Sequence, residues 1–321
     1  MRTFIPSILL TLLLGGCAIG PARYAEPPIN EASLRSAAIY LNGYNGHAML
    51  VYHRNKLVFE EYFNGWSADQ PHRLASGTKS FSCGILAAAV EDGLIKLDEK
   101  VADTIVEWRD DPRKSQITIR QLLSLTSGIY GGSTRERAPS YARAVVVANA
   151  EFTPGSRFQY GPIPHQIFGE LMRRKLTNVN ESVEAYVTRR ILEPIGLEPS
   201  YWVQDDEGNI RLPNGARMTA REWGKFGLLI QNQGRWQGRQ IVPAKVLREC
   251  FVGTDANLSY GLSFWLREKI GWGPKDLVMA RGRGKQVLYI IPSLELVVVQ
   301  FAETRGFKEQ QFLEELLVIA K

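Results

Sequence analysis

Alternation of hydrophobic and polar positions at both ends of the chain indicates β-strands. Residues 47–63, HAMLVYHRNKLVFEEYF, alternate on both sides of Arg54-Asn55, which is typical of a β-hairpin. The strand pattern returns late in the chain, at residues 260–267, 285–291 and 296–302. The strands predicted at the two ends therefore enclose a long middle region.

That middle region has the pattern of helices. Residues 81–90 are apolar on almost every side and predict a buried central helix. Residues 118–121 and 219–222 fit the capping box, and each should open an amphipathic helix. Further helices are expected at residues 142–148, 165–175, 183–192, 244–249 and 308–320. The expected fold is α+β, with one sheet built from both chain ends and a helical insertion beside it.

Length and charge narrow the class of protein. The 321 residues suffice for one large domain or for two lobes that share a cleft. The net charge of +6 comes from dispersed Lys and Arg, without a helix-turn-helix, zinc-finger or aromatic RNA-binding motif. We therefore interpret the charge as solubility and weak attraction to anionic surfaces, and expect no nucleic-acid partner.

The N-terminus has the features of a bacterial lipoprotein signal. Arg2 precedes an apolar stretch, residues 4–14, that is too short to span a bilayer. Leu14-Gly15-Gly16-Cys17 then resembles a lipobox, in which the signal is cut before the cysteine and the cysteine is lipidated. A non-cleaved anchor, or a plain signal with a chance cysteine, are the alternatives.

These features divide the chain and predict its location. Residues 1–16 would be the signal peptide, residues 17–34 the lipidated N-terminus and a tether containing two consecutive prolines, and residues 35–321 the folded domain. Buried acyl chains would hold the protein on a membrane. Ala18, in place of Asp, favours the periplasmic face of the outer membrane in the bacterial cell envelope.

Two other cysteines remain. The predicted compartment permits a disulfide, but Cys83 lies on the buried helix, so for Cys83 and Cys250 buried free thiols are favoured. The sequence contains no C-x-x-C, no H-E-x-x-H and no histidine cluster with metal-ligand spacing. We expect no metal and no other cofactor.

Ser76 and Lys79 form the only S-x-x-K of the chain, directly before the buried helix. If a helix begins at or just before Ser76, Lys79 lies one turn further on, and its amine can reach the Ser76 hydroxyl. Free N–H groups at a helix start favour an oxyanion and ease deprotonation of a nearby lysine. The alternative is a capped helix with a surface lysine, but a lysine on the first turn of a buried helix needs a partner or a purpose.

Two further clusters contain candidate site residues. Residues 154–162, PGSRFQYGP, form a loop before a helix, and Tyr160 either packs at the foot of that helix or faces a site. Residues 280–286, ARGRGKQ, precede a strand, and their glycines suit a tight turn and close backbone approach. A simple hairpin turn is the alternative there.

Together the three clusters resemble the serine β-lactamase and penicillin-binding-protein superfamily, closest to class C β-lactamases, family VIII esterases and 6-aminohexanoate-oligomer hydrolases. The resemblance runs from about residue 35 to the C-terminus and includes ITIRQLLSLTSGI, RMTAREWGKFGLLIQNQGRWQGRQIVP and YGLSFWL. It implies a β-lactamase/transpeptidase-like fold. An α/β lobe, with an antiparallel sheet flanked by helices, would pack on an all-α lobe, with the site in the cleft.

The resemblance also implies residue roles. Ser76 would be the nucleophile and Lys79 its partner, and Tyr160 matches the tyrosine of the family's Y-x-N motif, a general base or acid. Either Lys79 or Tyr160 would take the proton from Ser76. Substrate would contact Arg281, Gly282, Arg283 and Gly284. An N–H near Arg283 would complete the oxyanion hole with that of Ser76.

The sequence departs from the family pattern at two motifs. Pro162 stands where Y-x-N has its asparagine, so an amide that would hold the substrate is missing. The third motif, Lys-Thr-Gly or His-x-Gly in the family, reads either Ala280-Arg281-Gly282 or Gly282-Arg283-Gly284, and its register is open. Arg281 or Arg283 would replace the cation that binds a substrate carboxylate, unless both lie on a solvated hairpin tip.

Three functions fit these residues. The favoured one is a lipid-anchored serine hydrolase that forms an acyl-enzyme at Ser76 with a small-molecule or peptide ester or amide. Because both altered motifs are those that grip a β-lactam, an esterase or amidase is favoured over a β-lactamase. A D-alanyl peptidase-type cell-wall enzyme and a catalytically silent binding protein are the alternatives. A G-x-S-x-G elbow is missing, and His165, although near Tyr160, has no triad context.

Overall fold

The computed structural model describes residues 24–134, 136–268 and 271–319, so Cys17 and the predicted signal lie outside the described residues. The α-helices are α1 (Glu31–Gly43), α2 (Phe81–Glu91), α3 (Ile119–Leu123), α4 (Tyr141–Val147), α5 (Ile163–Leu176), α6 (Val183–Val187), α7 (Ala220–Gln231), α8 (Ala244–Glu249) and α9 (Glu309–Leu316). The strands are β1 (Gly46–His53), β2 (Lys56–Tyr62), β3 (His72–Arg73), β4 (Tyr201–Trp202), β5 (Ala216–Met218), β6 (Arg235–Trp236), β7 (Arg239–Gln240), β8 (Trp265–Leu266), β9 (Val278–Gly282), β10 (Gln286–Ile291) and β11 (Leu296–Ala302). Within these residues, none of the helices has the length and hydropathy needed to span a bilayer.

One antiparallel sheet, in the order β2-β1-β11-β10-β9-β8, joins the two ends of the chain. The predicted hairpin of β1 and β2 occupies one edge. Strand β1 also pairs with β11, from Gly46 opposite Ala302 to His53 opposite Leu296. The helices α2 to α6 lie in the long segment between these strands. The predicted α+β fold, with a sheet built from both chain ends and a helical insertion, is confirmed.

The central strands β10 and β11 are buried at every position and are apolar at all but one position each, so the sheet has a core on both faces. In β11, Val297, Val299 and Phe301 point into the core shared with α2, α5 and α7. Val298 and Ala302 point the other way, into a second core with α1 and α9. Helix α7 lies close against the strands, because a Cβ at Gly227 would come within 2.6 Å of Val297 Cγ1.

Several predicted elements are shorter than their sequence patterns. Of residues 260–267, only β8 is a strand, because Ser263 has a left-handed φ of 71° and a Cβ at Gly261 would meet the Cys250 carbonyl oxygen. The chain bends there to let the Ser263 N–H bond the Leu123 carbonyl at 3.0 Å. The predicted helix over residues 183–192 changes from α6 to a π-helical turn at Thr188–Leu192.

The folded domain begins earlier in the chain than predicted. Tyr24 pairs with Ile319 as an isolated bridge, Ile29 is buried, and α1 begins at Glu31. Helix α1 was not predicted, although Asn30 and Ser33 cap it reciprocally. The prediction of a tether reaching residue 34 is therefore wrong for residues 24–34, which belong to the folded domain.

The cysteine prediction is wrong. Cys83 on α2 and Cys250 at the C-terminal end of α8 form a disulfide, with a Cα–Cα distance of 6.2 Å. Both residues are fully buried, so burial of Cys83 did not indicate a free thiol. The two helices face each other in the core although 167 residues separate the cysteines. The bond ties the central helix to a helix from the distant part of the chain.

Removing this disulfide should destabilise the fold without changing its architecture. We expect the double variant Cys83→Ala/Cys250→Ala to lose about 2–4 kcal/mol of unfolding free energy, because the unfolded chain is no longer cross-linked. Urea unfolding with and without dithiothreitol measures this loss. The wild type should shift with the reductant and the double variant should not; a wild type insensitive to reductant would contradict the bond.

Candidate active site

Ser76 lies in a tight 3₁₀ turn, Ala75–Ser80, directly before α2. The predicted helical start is in the right place, but its first turn is 3₁₀ rather than α. Ala75 has a left-handed φ of 48°, a strained conformation for a residue with a side chain. The turn is held by β5, since Ala216 accepts from Leu74 N–H at 2.9 Å and its own N–H donates to Thr78 Oγ1 at 3.2 Å.

Lys79 directs its amine at Ser76 from within the core. The residue is 2 % exposed, and its Nζ donates to Ser76 Oγ at 3.2 Å and to the Pro213 carbonyl at 3.0 Å. Burial lowers the pKa of Lys79 to about 7, because an ammonium loses its hydration there. The contact predicted from the S-x-x-K spacing is therefore present.

Tyr160 completes the group. The Lys79 Nζ lies 5.0 Å from the centre of its ring. Burial raises the pKa of Tyr160, while a hydrogen bond with Ser76 and the charge of Arg281 act in the lowering direction. The backbone around it is fixed by Gln159 N–H, which donates to the Leu125 carbonyl at 2.9 Å. The structure thus brings Ser76, Lys79 and Tyr160 together.

These residues border a cleft of about 650 Å³ that is lined mainly by polar side chains. Its lining comprises Arg73, Ala75, Ser76, Thr134, Glu136, Arg137, Tyr160, Asn214, Trp265, Arg281, Gly282, Arg283, Gly284, Lys285 and Glu309. All four predicted substrate-contacting positions, from Arg281 to Gly284, are among them. The cleft therefore unites the three sequence clusters.

The register of the third cluster is set by Gly282, the last residue of β9. A Cβ there would lie 2.0 Å from the Leu74 carbonyl oxygen, so only glycine lets the strand lie against the Ser76 turn. The chain then turns tightly into β10, with Gly282 opposite Gln286 in the ladder. Ala280-Arg281-Gly282 is thus the segment beside Ser76, and the hairpin turn that was the alternative is also present.

Of the two arginines, Arg281 is paired within the protein, whereas Arg283 lies exposed in the hairpin turn. Arg281 Nη2 lies 2.6 Å from Glu309 Oε2, and its guanidinium carbon lies 5.5 Å from the centre of the Trp265 ring. Arg283 Nη2 donates to the Thr134 carbonyl at 2.7 Å. Arg281 already has a carboxylate partner, whereas Arg283 reaches across to the segment that precedes α4.

Asn214 is a cleft residue that sequence analysis missed. Its side-chain oxygen is buried without a hydrogen-bond partner among the described residues, and its neighbour Pro213 accepts from Lys79. Pro162, by contrast, is the N-cap of α5 and does not line the cleft. The only signal for Asn214 in the sequence was an ordinary P-N-G turn at residues 213–215.

His165 lies inside the protein rather than in the cleft. It is fully buried, and its Nε2 is 2.9 Å from Ser263 Oγ. Burial, with a smaller effect of the Lys79 charge, lowers the pKa of His165 well below its usual value. In the described part of the chain, groups of three or more His, Cys, Asp or Glu placed to hold a metal ion are absent.

Comparison with known sequences gives one family and distant relatives. The family model described as Beta-lactamase matches residues 38–319. The chain is 24% identical over 308 residues to an uncharacterized protein of Alkalihalophilus pseudofirmus, covering 83% of this chain and 86% of that protein. It is 23% identical over 145 residues to Protein flp of Staphylococcus aureus, which is 42% of this chain but only 28% of that protein's length.

Solved structures share the fold at low identity. A candidate 6-aminohexanoate-dimer hydrolase from Bacillus anthracis has a TM-score of 0.71 at 23% identity, covering 86% of this chain and 79% of that chain. EstCE1, a hydrolase with promiscuous acyltransferase activity, has a TM-score of 0.71 at 12% identity, covering 88% and 96%. A candidate beta-lactamase from Bacteroides dorei reaches 0.74 at 20% identity, covering 90% and 99%.

At these identities the solved structures establish the fold alone. The family follows from the sequence match, which extends over nearly the whole described chain, from the second turn of α1 to the residues after α9. The predicted resemblance and the β-lactamase/transpeptidase-like fold are both confirmed. The chain belongs to the beta-lactamase family of serine hydrolases.

Proposed function

We propose that this protein is a serine hydrolase that forms an acyl-enzyme at Ser76 with an ester or amide substrate. The observation that carries this proposal is the buried Lys79 amine, 3.2 Å from Ser76 Oγ, with a pKa lowered to about 7. A neutral amine at that position can accept the serine proton. A surface lysine with an unperturbed pKa near 10.4 would hold its own proton at neutral pH.

The proposed steps follow from the lowered pKa of Lys79 and the raised pKa of Tyr160. Lys79 accepts the Ser76 proton as Oγ attacks the substrate carbonyl, and the oxyanion lies between the N–H groups of Ser76 and Arg283. Tyr160, with its pKa raised by burial, keeps its proton and can donate to the leaving group. Water then attacks the acyl-enzyme and gives a proton to the Tyr160 phenolate, while Lys79 returns the first proton to Ser76 Oγ as the acid product leaves.

Esters and simple amides suit this cleft better than β-lactams. Arg281 is paired with Glu309, and Pro162 lies outside the cleft lining, so neither supplies the group that its family motif would. Asn214, with its buried and unpartnered amide oxygen, is the polar group that a substrate would meet beside Lys79. These features support esterase or amidase activity over β-lactamase activity.

The first test is covalent labelling followed by hydrolysis. We expect a fluorophosphonate probe to label the purified full-length protein stoichiometrically, and p-nitrophenyl butyrate to be hydrolysed at least tenfold faster than nitrocefin. Ser76→Ala and Lys79→Ala should each lower hydrolysis about 10³-fold or more, because the two residues act as a unit. Lys245→Ala, at an exposed lysine of α8, is the matched control.

Two outcomes of this test would change the assignment. Faster hydrolysis of nitrocefin than of the ester would make the protein a β-lactamase. A folded wild type that neither the probe nor any ester acylates would favour a binding protein that keeps the fold without its chemistry.

The pH dependence should report Lys79. Its folded-state pKa of about 7 means that the amine is charged below pH 7 and cannot accept the Ser76 proton. We therefore expect kcat/KM to fall about tenfold per pH unit below pH 7 and to level off above it. Tyr160→Phe should lower the rate yet keep this acidic limb, whereas a rate unchanged down to pH 5 would contradict Lys79 as the base.

The predicted lipid anchor belongs to the same proposal. Cys17 lies only a few residues before Tyr24, the first residue of the described domain, so the domain would sit directly at the membrane surface. The proposed location is the periplasmic face of the outer membrane. Cells fed labelled palmitate should incorporate it into the wild type but not into Cys17→Ala; equal labelling of both proteins would exclude the anchor.

A further inference from the structure

A buried carboxylate lies in the wall of the Ser76 cleft. Glu309 is the first residue of α9, and its side chain is only 4 % exposed. Its two oxygens are taken by different cations: Oε2 lies 2.6 Å from Arg281 Nη2, and Oε1 lies 3.1 Å from Lys285 Nζ. One carboxylate of the protein thus serves two of the three cations of the third-motif hairpin, and the third, Arg283, bonds the Thr134 carbonyl instead.

The other paired cations of the cleft are arranged differently. Arg73 pairs with Glu303 at 3.2 Å and Arg137 with Asp206 at 2.7 Å, and all four of these side chains are at least half exposed. Such exposed pairs are weak and open easily to water or to a ligand. The pair of Arg281 and Glu309 is closed instead, because opening it would leave a buried carboxylate with Lys285 as its one remaining cation.

We propose that Glu309 is a specificity-determining residue that makes the cleft select substrates with an uncharged group beside Arg281. The inference rests on the proposed hydrolase function and names the substrate class of the same site. A guanidinium lining a cleft would otherwise bind a substrate carboxylate through paired hydrogen bonds. Glu309 already occupies that position with the protein's own carboxylate.

Discrimination arises from both attraction and repulsion. An anionic substrate group gains little from Arg281 and Lys285, because Glu309 has already neutralised much of their charge. If the group displaced Glu309, that carboxylate would remain buried and would repel the newcomer across a short distance. A neutral acyl or leaving group meets neither penalty and can pack on the Trp265 ring, which lies beside Arg281.

The test compares pairs of esters in which one member carries a carboxylate and the other carries its neutral methyl ester. One pair is mono-p-nitrophenyl terephthalate and methyl p-nitrophenyl terephthalate, which differ at the far end of the acyl group. The other is the butyryl ester of methyl 4-hydroxybenzoate and that of 4-hydroxybenzoate, which differ in the leaving group. Values of kcat and KM are measured for the full-length wild type, Glu309→Gln, Glu314→Gln and the double variant Arg281→Gln/Glu309→Gln.

The expected result is a change in preference through KM. In Glu309→Gln, the neutral-to-anionic ratio of kcat/KM should fall at least tenfold for one pair, with little change in kcat for the neutral ester. In the double variant the ratio should return to the wild-type value, because Arg281 is the residue that binds the anionic ester in Glu309→Gln. Glu314→Gln should match the wild type, since Glu314 is an exposed residue of the same helix outside the cleft. Ratios within twofold of wild type for both pairs would overturn the proposal.

A binding measurement separates this proposal from the hydrolase assignment. Calorimetric titration with glutarate, and with neutral glutaramide as control, requires no turnover. Glu309→Gln should bind glutarate at least tenfold more tightly than the wild type, and the double variant should not. Equal glutarate affinities would overturn the role of Glu309 even if esters were hydrolysed. Tighter binding of glutarate by Glu309→Gln than by the wild type would support the role of Glu309 even if no ester were hydrolysed.

If circular dichroism shows that Glu309→Gln does not fold, a second variant still tests the proposal. Arg281→Gln keeps Glu309 and its partner Lys285 but removes one compensating cation. It should raise the ratio of KM for the anionic ester to KM for the neutral ester of the responsive pair severalfold. An unchanged neutral-to-anionic ratio in this variant would overturn the proposal.

Discussion

The site depends on the burial of one amine, that of Lys79, which is almost entirely shielded from water. Lys79 lies near the end of the tight turn that precedes α2. Residues Phe81 to Ala89 of α2 are all buried, so the turn places the Lys79 side chain in the core. Among the described residues, two oxygens accept hydrogen bonds from the amine, those of Ser76 and of the Pro213 carbonyl. Because loss of hydration lowers the pKa of Lys79, whatever keeps water away from this amine also sets its proton affinity.

Two separate parts of the chain hold that arrangement. On one side, β5 binds the turn through Ala216, and on the other β9 lies against it where Gly282 has no side chain. Tyr160 approaches from the loop before α5, whose backbone is tied to Leu125. The arrangement of the site therefore depends largely on close backbone contacts, which explains why a glycine and a strained residue border the cleft.

Local sequence patterns predicted most of the fold and one contact of the site. The hairpin, the buried helix and the cap at Thr118 follow from spacings of a few residues, as does the contact of Ser76 with Lys79. The bend at Ser263 and the disulfide depend on residues far away in sequence, so local periodicity could not reveal them.

The same limit applies to the charges in the cleft. Arg281 was recognised as a cation beside the site, but its partner Glu309 begins a different element after β11. Asn214 likewise lies in a turn with no motif of its own. The missed helix α1 is a different case, because its capping residues Asn30 and Ser33 are only three positions apart, while the two prolines before them favour a tether.

The pairing of β1 with β11 also dictates when the protein can become stable. The first hairpin is synthesised early, yet its inner edge stays open until nearly the whole chain has been made, since Gly46 must meet Ala302. Closing so long a loop is entropically costly and slow, and an open apolar strand edge invites aggregation. A chain emerging from a ribosome therefore exposes this edge until its last strand arrives, and a truncation just before β11 would remove the partner of both β1 and β10.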